Sequence, residues 1–151
     1  MLRDDINNAL KEAMKAKNER AVSTLRLINS ALKNADIEAR GAGKPPLGDA
    51  EVLAVLQKMI KQRQESKELY EKGGRPELAA QEGEEIAIIA SYLPQQMSES
   101  EVKAAIEAAI KDTGAAGIKD MGKVIGALKA KYAGRMDFGK VSGQVKGMLS
   151  G

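Results

Sequence analysis

The stretch Lys119-Asp-Met-Gly-Lys-Val-Ile-Gly-Ala-Leu-Lys-Ala-Lys-Tyr-Ala-Gly-Arg-Met-Asp-Phe-Gly-Lys140 decides how this chain is read. It holds two short helical patterns joined by a turn that contains Gly134. In the first, Met121, Val124, Ile125, Leu128 and Tyr132 recur on one side of a helix; in the second, which runs on toward the C-terminus, Phe138, Val141, Val145, Met148 and Leu149 do the same. Glycines occupy the opposite side of both. Gly122 and Gly126 fall beside Lys119, Lys123 and Ala130, while Gly139, Gly143 and Gly147 fall beside Lys140 and Lys146. An interior glycine costs a helix ~1 kcal/mol relative to alanine, so five amount to roughly 5 kcal/mol if additive. That is a large fraction of a small domain's stability. These glycines do not line the core of their own bundle. A side-chain-free helix face fringed with lysine lets another surface come close, and a phosphate backbone fits its charge. Close packing against a protein helix is the competing reading of the same stripe.

Charge is divided unevenly along the chain. From Gly114 to Gly151 there are seven Lys or Arg against two Asp, whereas the first 94 residues carry fifteen of each sign. A small basic module on a neutral body suggests a polyanion as ligand, RNA or DNA above all. Aromatic residues are few (Tyr70, Tyr92, Tyr132 and Phe138), which argues against a platform for stacking single-stranded bases. Backbone and shape are then what such a surface would read.

Upstream of the deciding stretch the pattern is helical throughout, which predicts an all-α fold. Leu2, Ile6, Leu10, Ala13 and Met14 form the face of a first helix, and Asn18 marks a turn. Val22, Leu25, Ile28, Leu32 and Ala35 stripe a second, ending near Gly41. The segment Gly41-Ala-Gly-Lys-Pro-Pro-Leu-Gly48 is a loop, since its prolines stop a helix. Asp49 is placed to cap a third helix with Val52, Leu56, Met59, Ile60 and Arg63 on its inner side. Gly73-Gly74 ends it, and Pro76 suits the first turn of a fourth, which buries Leu78, Ile86, Ile89 and Leu93. Ser98 and Glu101 have capping-box spacing at the start of a fifth helix with Val102, Ala105, Ile106, Ala109 and Ile110 inside. Asp120 and Asp137 are expected to cap the sixth and seventh. The expected organisation is a four-helix N-terminal subdomain, residues 1–94, followed by a three-helix basic subdomain, residues 95–151.

Several chemistries are excluded or lack a signature. There is neither Cys nor His, so thiolate chemistry, disulfides and the commonest general base are absent. No catalytic or metal-binding constellation is found, and no cofactor is expected. Gly41-Ala-Gly-Lys44 lacks phosphate-loop spacing and follows a helix. The acidic pairs Asp4-Asp5 and Glu84-Glu85 read as exposed, and the stripe Arg26, Lys33 and Arg40 on the second helix reads as a solvated face or a second contact for a long ligand. With no apolar run of bilayer-spanning length and no apolar leader at the N-terminus, a cytoplasmic soluble protein is expected.

The run Asp120-Met-Gly-Lys-Val-Ile-Gly-Ala-Leu-Lys, followed by Tyr132-Ala-Gly-Arg-Met-Asp137, resembles the C-terminal signature of the YqeY family. Ser23-Thr-Leu-Arg-Leu-Ile-Asn-Ser-Ala-Leu-Lys-Asn-Ala-Asp-Ile37 and Tyr92-Leu-Pro-Gln-Gln-Met97 resemble the same family's N-terminal half. That family is similar to the tail domain of the B subunit of glutamyl/aspartyl-tRNA amidotransferase. The resemblance implies an all-helical two-part fold and a tRNA-handling accessory role without catalysis of its own. Carried over by position, it implies RNA contacts from Lys119, Lys123, Lys129, Lys131, Arg135 and Lys140, and the helical wheel itself places the close-approach surface at Gly122, Gly126, Gly139 and Gly143. The alternative it implies is an adaptor that docks on an amidotransferase or an aminoacyl-tRNA synthetase. The amidotransferase's ATP-using cradle domain and glutaminase subunit have no counterpart here. Carbon–nitrogen ligase activity with glutamine as nitrogen donor is therefore expected only as part of a complex.

Overall fold

The computed structural model describes residues 2–150, and among them the chain is all-α, with seven α-helices and no strand. The described residues group into two compact units that part between Leu93 and Pro94. No helix among the described residues is long and apolar enough to cross a membrane.

The first unit contains α1 (Leu2–Lys15), α2 (Glu19–Gly41), α3 (Asp49–Lys72) and α4 (Pro76–Ala90). The stripes named above meet in one core: Ile6 and Ala13 of α1, Leu25, Ile28 and Leu32 of α2, Val52, Leu56 and Met59 of α3, and Ile89 of α4. Met14 stays outside, 51% exposed, because it is turned about one residue's rotation from Ala13 to the rim of the stripe. The ends follow local chemistry. Asn18 caps α2 by accepting from the Ala21 amide at 3.1 Å. At α3 the cap position falls on Gly48 rather than Asp49. The Glu51 carboxylate takes the Gly48 N–H at 3.1 Å, and Asp49, the first helical residue, accepts from the Leu2 amide instead. Gly74, at φ +71°, turns the chain after α3 so that the Arg75 N–H reaches the Tyr70 carbonyl.

The acidic pair of α4 is not uniformly exposed. Glu85 is buried and forms an ion pair with Arg63 of α3 at 3.1 Å, while Glu84 stays outside and pairs with Arg20 of α2 at 3.0 Å. Arg63 also donates to the Met59 carbonyl, and Arg20 stands 4.0 Å from the Glu85 carboxylate, so the buried side chain is met by arginines from α3 and α2. Burial, together with the neighbouring Glu85, holds the Glu82 carboxyl above the usual carboxylate range.

The second unit contains α5 (Glu99–Thr113), a single 3₁₀ turn (Ile118–Asp120), α6 (Met121–Tyr132) and α7 (Phe138–Ser150). Ala105, Ile106 and Ala109 of α5 pack with Val124 and Leu128 of α6, Val141 and Val145 of α7, and Met136 of the connecting turn. Ser98 and Glu101 form the capping box: the Glu101 N–H donates to the Ser98 hydroxyl at 3.2 Å and the Ser98 N–H to the Glu101 carboxylate at 3.1 Å. Gly114, at φ +68°, closes α5. Asp137 caps α7 through the Gly139 and Lys140 amides. Asp120 holds the N-cap position of α6 as expected, but its side chain makes no cap hydrogen bond there. The residue ends the 3₁₀ turn, and its carboxylate reaches back to the Ala116 N–H at 3.0 Å, the interaction that chiefly lowers its pKa.

Asp36 of α2 gives a test of the first unit. Its carboxylate accepts the Leu47 N–H at 3.1 Å and the Arg3 guanidinium at 2.6 Å, so it ties α1 and the 41–48 loop to α2. The Leu47 hydrogen bond and the Arg3 charge hold its pKa below the usual value. A depressed folded-state pKa gives stability that is present above the unfolded pKa, about 3.9, and is lost as pH falls through the folded value. Thermal unfolding of the wild type against Asp36→Asn should therefore show a gap in Tm in favour of the wild type at neutral pH that closes in acid; a gap that is constant across this range contradicts the assignment.

Candidate functional site

The inward apolar stripes set how α6 and α7 are rolled, and with Val124, Leu128, Val141 and Val145 buried the glycines turn outward. At Gly122, Gly126, Gly143 and Gly147 an added Cβ would meet nothing within 4 Å. Gly139 differs: a Cβ there would stand 3.2 Å from the Asp137 carboxylate that caps α7. Its lack of a side chain serves the cap, and the N-terminus of α7 is already occupied by a carboxylate of this chain. Any anion approaching α7 would have to use its side.

The six basic residues singled out by position fall into different settings. On α6, Lys123 and Lys129 flank the Gly122–Gly126 stripe, which Ala130 continues at the same four-residue spacing. Lys123, itself exposed, makes an i,i+3 pair with the half-buried Asp120 at 3.7 Å, and Lys129 reaches the Phe138 ring with its Nζ 5.9 Å from the centroid. Lys140 is exposed beside Gly143, and Lys119 is exposed in the 3₁₀ turn. Lys131 lies on another side of α6, its Nζ 5.6 Å from the Tyr132 ring centroid. Arg135 is part of the framework: its Nε donates to the Gln95 carbonyl at 3.0 Å, its own carbonyl accepts the Met97 N–H, and its guanidinium lies 6.0 Å from the Tyr132 centroid. With Gln96 donating to the Gly134 carbonyl at 2.6 Å, the segment before α5 is stitched to the α6–α7 turn. Lys146, exposed one helical turn from Gly143, belongs with the flanking lysines, and helical spacing alone would have added it to the six.

The second unit also has an open groove of about 350 Å³ between α5 and α7, lined by Glu99, Lys103, Ile106, Gln144 and Met148, on the side of α7 next to its glycine stripe. The Gly41–Lys44 segment is a helix terminus: the Ala42, Gly43 and Lys44 amides donate to carbonyls of Glu38, Arg40 and Ala39, which leaves none of the three for a phosphate. Among the described residues no three His, Cys, Asp or Glu side chains are grouped so as to hold a metal ion.

A helical basic unit carrying this signature agrees with comparison to known proteins. The chain belongs to the YqeY family: the family's model, described as Yqey-like protein, matches residues 3–149. It is 35% identical over 104 residues to altered inheritance of mitochondria protein 41, mitochondrial, of Lachancea thermotolerans, a match covering 68% of this chain and 54% of that one. It is 32% identical over 93 residues to an uncharacterized protein of Schizosaccharomyces pombe, covering 62% and 72% respectively. The Pyrenophora tritici-repentis protein of the first name is 28% identical over 128 residues, covering 83% and 68%. In the first of these relatives the match spans little more than half of that protein's length. None of these three names mentions RNA, an amidotransferase or a ligase. The expected cytoplasmic location is overturned by these relatives, since those bearing a descriptive name are named as mitochondrial.

The open glycines give a direct expectation. Gly126→Ala or Gly143→Ala should raise the stability of the protein by up to ~1 kcal/mol, since alanine is the better helix former and the space is empty. Gly139→Ala should gain less or lose, because its methyl group presses on the Asp137 carboxylate. Chemical denaturation of the three variants decides the matter. A loss of stability at both Gly126 and Gly143 would mean that those faces are packed.

Proposed function

We propose that this protein is an RNA-handling accessory module, without catalysis of its own, whose basic helices lie along the backbone of a folded RNA. Tail-like residues 95–151 act as the binding subdomain and residues 1–94 as its body. The observation that carries this reading is the pairing of open glycines with exposed lysines. Gly122, Gly126, Gly143 and Gly147 have empty space where a stabilising methyl group would fit, and Lys123, Lys129, Lys140 and Lys146 stand around them. Helical stability alone would favour alanine at each. A phosphate backbone gains from the missing side chains by closer approach and from the lysines by charge. The resemblance of the Asp120–Asp137 signature to the amidotransferase tail points to tRNA as the RNA. The names of the relatives point to a mitochondrial setting.

Titration of folded tRNA into the full chain tests this reading. Binding should be seen at low salt and should weaken linearly on a log–log plot as salt rises, because each neutralised phosphate releases condensed counterions. Changing Lys123, Lys129, Lys140 and Lys146 together to Ala should lower affinity and reduce the salt slope by about 0.7–0.9 for each phosphate that no longer meets a lysine, with helicity unchanged. Arg135 is left intact because its substitution would also loosen the 95–97 segment. No binding at low salt, or a slope the four substitutions leave unchanged, overturns the proposal.

A further inference from the structure

The outer face of α2 has a pattern of its own, independent of the glycine faces. Residues 23, 27, 30, 34, 37 and 41 are spaced alternately four and three apart, so they form one straight seam about 27 Å long. They are Ser23, Leu27, Ser30, Asn34, Ile37 and Gly41, and all six are exposed. Leu27 is 44% and Ile37 55% exposed, the two large aliphatic side chains that α2 leaves to solvent. Between and beyond them the seam is small or polar, and a Cβ at Gly41 would meet nothing within 4 Å.

One position before 27, 34 and 41 stand Arg26, Lys33 and Arg40, so three cations run along a single edge of the seam. None of the three forms an ion pair with a described residue, although elsewhere in this unit Arg3, Arg20, Arg63, Lys72 and Arg75 all do. Arg40 biases Asp36 from a distance, but that carboxylate is taken by Arg3 and the Leu47 amide. Glu38 sits on the far rim of the seam, and Glu19 lies before its start.

A heptad seam with aliphatic knobs, small residues between them and one charged edge is the surface against which another helix packs. A nucleic-acid backbone would use the cations but would leave Leu27 and Ile37 against phosphate and water. The glycine faces of α6 and α7 carry no such aliphatic residues. We propose that this face of α2 docks an acidic amphipathic helix of a partner protein, its apolar side chains on Leu27 and Ile37 and its carboxylates against Arg26, Lys33 and Arg40. This stands whether or not the basic helices of the second unit bind RNA.

The test uses the full chain and a synthetic peptide of about three heptads, with Leu at the a and d positions and Glu at e and g. A scrambled peptide of the same composition is the control, and both are read by fluorescence anisotropy. The ordered peptide should bind about tenfold more tightly than the scrambled one or better, the size of effect a pair of anchors supplies. Leu27→Asn with Ile37→Asn, or separately Ser30→Glu, should bring it down to the scrambled level. Reversing Arg26, Lys33 and Arg40 to Glu should abolish binding, while the tRNA affinity of the aliphatic variant stays at the wild-type value. The proposal is overturned if the ordered peptide binds no better than the scrambled one, or if the aliphatic and Ser30 variants bind it unchanged. It is also overturned if the charge reversal weakens tRNA binding and leaves peptide binding intact, since that result assigns the face to RNA.

Discussion

The roll of α6 and α7 about their own axes is the constraint on which the candidate site depends. It is set by one apolar layer: Val124, Leu128, Val141 and Val145 against Ala105, Ile106 and Ala109 of α5. The magnitudes explain why this layer decides. Burying a valine or leucine is worth about 1.5–3 kcal/mol, whereas each interior glycine costs ~1 kcal/mol. The four buried anchors therefore outweigh the glycines, and both helices form and turn their side-chain-free faces outward. The alanines of α5 let the layer close without bulk. Had the stripe been one residue out of register, the glycines would have faced α5 and their cost would have had an internal explanation.

Much of this was legible in the sequence, because helical periodicity is local and both units are built from it. The capping box at Ser98 and Glu101, Pro76 at the start of α4 and the glycine stops after α3 and α5 all follow from neighbours within a few residues. What the sequence hid is non-local. Glu85 reads as one of an exposed acidic pair until Arg63, twenty-two residues earlier, is seen to meet it; the inward position of Arg63 on its own stripe was the available hint. Asp120 had a cap's identity and position, but the backward bend of the 3₁₀ turn gave its carboxylate a closer amide at Ala116. Asp49 lost the cap of α3 to Gly48 because Glu51 could reach back from within the helix.

The candidate site divides along the same line. Which glycines point away from the core follows from a helical wheel, and so does the flanking position of Lys146. That Gly139 serves the Asp137 cap, and that Arg135 holds the Gln95–Met97 segment, depends on turn geometry that no spacing encodes. The effect is to narrow the basic surface from a cluster defined by charge to four lysines around two open stripes, with Lys119 nearby. Charge alone could not separate Lys131, on a different side of α6, from Lys129.

The two units carry exposed faces of different chemistry, one aliphatic and basic on α2, the other bare and basic on α6 and α7. Membership of the YqeY family covers both. Whether RNA lies along the bare faces is decided by amide-resolved NMR of the full chain titrated with folded tRNA at low salt. Perturbations should concentrate at Gly122, Gly126, Gly143 and Gly147 and their flanking lysines and fade as salt is raised. Perturbations that spare these glycines while binding occurs elsewhere, or spectra unchanged by tRNA, would contradict RNA binding along these faces.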